Sequence, residues 1–172
     1  MGIEGSILLI GVGNEFRTDD GLGILTAREI RRRGYPGVQV MEANGEGTSL
    51  LESWKGYDRV LIVDAICSGA ARGTVHRIDL RTKGLPRGFL HSSSHSFGVA
   101  EAVEMGRQLD QLPEILLLYG IEGCQFDTGA GLTDEVVRNI PQLLGLIESD
   151  ISSLCSDVTP SREGSHDAPG SL

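Results

Sequence analysis

The chain is predicted to fold as a three-layer α/β/α sandwich around a mostly parallel, twisted sheet of about five strands. Strand and helix signals alternate along its length, as in α/β domains. The strands read as short continuous apolar runs, the pattern of strands covered on both faces. The 172 residues, 40% of them hydrophobic, suffice for one packed core, and the 24 glycines imply many tight turns.

Residues 7–10 (ILLI) form the first strand, ending at Gly11. Residues 22–33 follow as a helix with Leu22, Leu25 and Ile30 near helical spacing. Its arginine-rich last turn suits the helix dipole, and Gly34 and Pro36 end it. Residues 38–42 form the second strand and 48–54 a short helix capped by Thr48 or Ser49. Residues 60–64 (VLIVD) are the clearest strand, four aliphatics ending in an aspartate, whereas 74–80 is more polar and so nearer a sheet edge. A Gly-, Pro-, Ser- and His-rich loop spans 81–95. Residues 96–110 form a helix with Val99, Val103 and Met105 among its apolar positions, and 115–120 the fifth strand. After a loop at 121–132, Thr133 caps a last helix. Val136, Val137, Ile140, Leu143, Leu144 and Ile147 share one face of it, and Pro141 should kink it. Periodicity then fails, so 1–151 reads as one domain and 152–172 as a disordered tail.

The net charge of −9 argues against a nucleic-acid binder. No apolar run reaches membrane-spanning length, and no signal segment opens the chain. Met1-Gly2 with Ser6 fits a loose myristoylation pattern that carries little weight here, because Ser6 runs directly into a strand. Cys67, Cys124 and Cys155 lack zinc or disulfide spacing, which suits a reducing, cytoplasmic setting.

In such sheets ligands sit outside the carboxyl ends of the strands, and polar residues and glycines collect there. Gly11-x-Gly13 precedes a helix as in a dinucleotide fingerprint, but Phe16 replaces the third glycine and Asp19 and Asp20 would repel a pyrophosphate. The glycines alone would serve a tight strand-to-helix turn, and Asp19 and Asp20 the helix dipole. Asp64, ending an apolar strand, needs a partner or a raised pKa. Of the four histidines, His76 and His166 read as surface residues, while His91 and His95 flank three serines. Those serines lack a nucleophile elbow, and the cysteines lack any nucleophilic motif. One imidazole and two carboxylates would suit a divalent ion with open positions, and nickel, zinc, manganese and iron all fit by ligand type.

Four segments resemble one known family. They are GVGNEFRTDDGLG at 11–23, VLIVDAICSG around Asp64, SSSHSFGVAEAVEM around His95, and LLLYGIEGCQFDTGAGLTDEV after 115. In order and spacing they are similar to the maturation proteases of nickel–iron hydrogenase large subunits. The resemblance implies a phosphorylase/hydrolase-like fold and a nickel-binding set of Asp20, Asp64 and His95, which also serve as the catalytic residues. Gly98 and Glu101 favour His95 over His91 in that pattern. The implied partner is a hydrogenase large-subunit precursor already loaded with nickel, with the nickel carried by that substrate. The implied act is one cut after the His or Arg that follows the last cysteine pair, releasing a C-terminal extension. The alternatives are a metal-dependent aminopeptidase or other hydrolase on a similar fold, and a metal-sensing chaperone that binds without cutting.

Overall fold

A computed structural model describes residues 6–86, 88–90 and 98–156. His91, His95, the three serines between them and His166 lie outside the described residues.

Five strands form one sheet in the order β2-β1-β3-β5-β4. They are β1 (Ile7–Val12), β2 (Val38–Ala43), β3 (Arg59–Ile66), β4 (Val75–Asp79) and β5 (Ile115–Glu122). β1 pairs in parallel with β2 and β3, and β3 with β5, whereas β4 runs antiparallel along the edge of β5. The polar strand is thus an edge strand, as its composition predicts.

Alternation along the buried strands splits the core in two. Ile7, Leu9, Leu61, Val63, Leu117 and Tyr119 face helices α1 (Leu22–Arg33) and α4 (Asp134–Ser156). Leu8, Ile10, Val60, Ile62, Leu116 and Leu118 face α2 (Gly47–Ser53) and α3 (Val99–Gln108). This is the three-layer sandwich expected.

Two glycines bring α1 hard against the sheet. A Cβ on Gly23 would lie 2.1 Å from the Val12 carbonyl oxygen and 2.3 Å from that of Val63. One on Gly11 would lie 2.2 Å from the Gly23 oxygen. Gly11 of β1 and Gly23 of α1 therefore set the height of α1, and hence of the segment entering it, over β1 and β3.

Several details differ from the sequence expectation. β3 continues two residues past Asp64, because Ala65 and Ile66 keep pairing with Ile121 and Glu122. The cap of α2 is Glu46, whose carboxylate accepts from the N–H groups of Thr48 and Ser49. Leu25, Met105 and Val137 are exposed, since the buried stripes of their helices run through neighbouring positions such as Ala27, Val103 and Val136. The last helix reaches Ser156, five residues beyond the expected boundary, because Ile151 and Leu154 extend the stripe of Leu144 and Ile147. It stays a single helix through Pro141.

Gly23→Ala should destabilise the protein by about 2 kcal/mol or more in urea unfolding, despite the better helix propensity of alanine. Gly145→Ala, at an exposed α4 position with nothing within 4 Å, should stabilise it by about 0.5–1 kcal/mol. Equal effects at the two sites would contradict the close approach.

Candidate functional site

β2 lies on one side of β1 and β3 on the other, so the connections leaving β1 and β3 diverge. That divergence opens a crevice at the carboxyl ends of the strands, the usual ligand position in this architecture.

After β1 the chain forms a 3-10 turn, Thr18–Gly21, ahead of α1. Thr18 has φ +48°, uncommon outside glycine and costly by about 1–3 kcal/mol. It is held there by its N–H donating to the Gly129 carbonyl at 2.9 Å and its hydroxyl to that of Gln125 at 2.7 Å.

Asp19 is fully buried. Its carboxylate accepts from Cys124 N–H at 2.8 Å, Gln125 N–H at 3.1 Å, Thr133 N–H at 2.7 Å and the Thr133 hydroxyl at 2.9 Å. The expected helix-start acid is instead a bolt between the first turn and the loop after β5. Thr133 turns its hydroxyl to that bolt.

Asp20 is 1% and Asp64 3% exposed. Asp64 lies opposite Gly120 of β5, where any side chain would strike the Asp64 carbonyl at 2.3 Å. Alternation directs its carboxylate to the α2/α3 face, and Oδ1 accepts from Ala65 N–H at 2.7 Å. Burial holds the Asp64 carboxyl well above its usual range. The neighbouring Asp20 charge adds to this, and the Ala65 N–H opposes it. The structure thus brings two of the three expected residues together, and the third, His95, lies outside the described residues. Among the described residues, no three His, Cys, Asp or Glu side chains gather closely enough to hold a metal ion. The buried Asp20–Asp64 pair suits a divalent cation, which would offset two like charges that burial disfavours.

Sequence reasoning passed over two neighbours. Glu122, 4% exposed at the end of β5, accepts from the Ser68 hydroxyl at 2.8 Å and Gly69 N–H at 2.9 Å. It also lies 3.4 Å from His76 Nε2. His76 packs edge-on against Phe89, so it is partly buried rather than on the surface. The sequence signal was an acid closing an apolar strand, the feature that singled out Asp64. Burial, then the charges of Glu122, Asp64 and Asp20, push the Cys67 thiol up to about 11, which keeps it protonated and non-nucleophilic at neutral pH.

The buried carboxylates of Asp19 and Asp64 should respond oppositely to substitution. Asp19→Ala strands buried donors and should cost about 3–5 kcal/mol in urea unfolding. Asp19→Asn should do little better, because its amide would face N–H donors. Asp64→Asn should raise the Tm. The folded-state pKa of Asp64 lies above that of an ordinary aspartate, so its contribution to stability is full below the ordinary value and is lost as pH rises through the folded pKa. The Tm advantage of Asp64→Asn should accordingly widen between pH 4 and pH 8. A constant advantage would contradict the burial of an ionisable Asp64.

Comparison with known proteins converges on one group. The hydrogenase 2 maturation protease of Escherichia coli (strain K12) is 29% identical over 167 residues, covering 94% of this chain and 99% of that protein. The hydrogenase expression/formation protein HupD of Thiocapsa roseopersicina is 27% identical over 139 residues. That match spans 78% of this chain but 62% of the relative, less than two thirds of its length. Among solved structures, the hydrogenase maturating endopeptidase HybD from E. coli superposes with a TM-score of 0.71 at 23% identity, covering 86% of this chain and 93% of that one. A [NiFe] hydrogenase maturation protease from Thermococcus kodakarensis gives 0.64 at 22% identity, with coverage of 86% and 93%. These likenesses establish the fold. The hydrogenase maturation protease model matches residues 24–150, well over half of the chain, and the protein therefore belongs to the hydrogenase maturation protease family.

Proposed function

We propose that the protein is the endopeptidase that removes the C-terminal extension of a nickel-loaded nickel–iron hydrogenase large-subunit precursor. The observation that carries this reading is the burial of Asp20 and Asp64 side by side at the sheet's carboxyl edge, in a member of this family. Two desolvated carboxylates are costly unless a cation or a proton balances them. The nickel of the precursor is that cation, and Asp20, Asp64 and His95 complete its coordination. The described residues on either side of His95 support its inclusion. Leu90 bridges to Ile66, two residues past Asp64, and Gly98 lies beside Gly45 at the end of β2.

The metal would polarise the scissile carbonyl. Burial and the neighbouring Asp20 charge raise the Asp64 pKa, and a cation between the two carboxylates would oppose that shift. Asp20 or Asp64 then accepts a proton from the attacking water and returns it to the amine that leaves as the C–N bond breaks. Processing thereby depends on prior metal insertion, because an empty precursor offers the aspartates nothing to bind. Cys67, Cys124 and Cys155 are all free thiols, which supports action in the reducing cytoplasm. Among the described residues, no helix is long and apolar enough to cross a membrane.

Incubation with nickel-loaded and nickel-free precursor should release the C-terminal peptide from the first only. Asp20→Ala, Asp64→Ala and His95→Ala should each lower the rate by about a hundredfold or more, with unchanged circular dichroism. Equal processing of the two precursors would refute nickel sensing. Binding without peptide release would identify a chaperone.

A further inference from the structure

Next to the turn that carries Asp20 lies a groove of about 500 Å³ between the loop after β1 and the end of β2. Phe16, Ile24, Met41 and Ala43 give it an apolar wall. Phe16 is 67% exposed, the most exposed large hydrophobic residue described. Its backbone is nevertheless fixed at both ends. Its N–H donates to Asn14 Oδ1 at 3.0 Å, and its carbonyl accepts from Gly129 N–H at 2.9 Å. A bulky ring held in solvent on a tied loop is preorganised for contact rather than for packing.

The charges at the groove are already matched. Arg28 pairs with both Glu15 and Glu42, and Arg31 also takes Glu42. Two carboxylates thus meet two guanidiniums, and a charged occupant would have to break one of these pairs. An uncharged, apolar side chain needs no such exchange.

The groove adjoins the turn that carries Asp20. Gly13 and Asn14 line it. A Cβ on Gly13 would lie 1.9 Å from the Asp20 carbonyl, and Asn14 N–H donates to that same oxygen at 3.1 Å. A polypeptide presented to Asp20 would therefore run close to this wall.

We propose that the groove is a specificity pocket that takes an uncharged, apolar side chain of the substrate polypeptide beside the scissile bond, with Phe16 and Met41 setting the size accepted. This inference rests on the endopeptidase reading above. It adds a selection by side-chain chemistry to the selection by metal.

The test is steady-state processing of the nickel-loaded precursor by the full chain, with Leu, Ala, Lys or Asp placed in turn at the two residues on either side of the cut. One position should prefer Leu over Asp or Lys by about tenfold or more in kcat/KM. Phe16→Ala should raise KM about tenfold with kcat within about twofold, since the ring contacts ground state and transition state alike. Phe16→Asp should erase the apolar preference at that same position. Leu109→Ala, an exposed apolar change at the end of α3, should alter neither constant. Indifference at all four substrate positions, or an unchanged KM in Phe16→Ala, would overturn the pocket while leaving the endopeptidase intact. Failure of the unaltered protein to cut at all would overturn the endopeptidase reading, and the pocket with it.

Discussion

The carboxylate of Asp19 is the constraint on which the site depends. It gathers donors from a loop more than a hundred residues further along the chain and closes the first turn onto the far side of the sheet. With that bolt in place, Thr18 is held in a backbone conformation it would not choose, and Asp20 follows with no freedom to turn toward solvent. The walls of the neighbouring groove are fixed by the same arrangement, because the Phe16 carbonyl is tied to Gly129 in the bolted loop. Asp19 is held by fixed N–H and O–H donors, and its neighbour Asp20 also feels the charge of another buried acid, Asp64.

This division explains how a small domain tolerates buried acids at its working edge. The sheet supplies strong compensation elsewhere, with β1 and β3 buried on both faces and α1 seated directly on them through Gly11 and Gly23. A rigid frame keeps Asp20 and Asp64 within reach of each other's charge, the conflict that the proposed binding of a cation would relieve.

The architecture was legible because the fold is written in local patterns. ILLI, VLIVD and ILLLYG are uninterrupted apolar runs that cannot be amphipathic edge strands, and the polar TVHRIDL declared itself an edge. Boundaries were less legible. Asp64 looked terminal because a charged residue interrupts the run, yet pairing with β5 carries the strand on to Ile66. The last helix outlasted its estimate because Ile151 and Leu154 are spaced among serines that mask the stripe. At the site, Asp64 was found by the conflict between its charge and its strand. The role of Asp19 was not, since its partners are backbone N–H groups of residues 124, 125 and 133, and backbone donors leave no trace in side-chain identity. The groove was equally hidden. Phe16 entered the sequence argument only as a missing glycine, and its exposure is a property of the folded loop.

The division of the core into two layers has a practical consequence. The chain has a single tryptophan, Trp54, and it is buried in the layer under α2 and α3. The buried Tyr119 belongs to the opposite layer, under α1 and α4. Intrinsic indole emission therefore reports on one side of the sheet alone. Loosening of the α1/α4 side could pass unseen in a tryptophan fluorescence trace while a tyrosine absorbance signal registers it, so the two optical probes together resolve which layer gives way first.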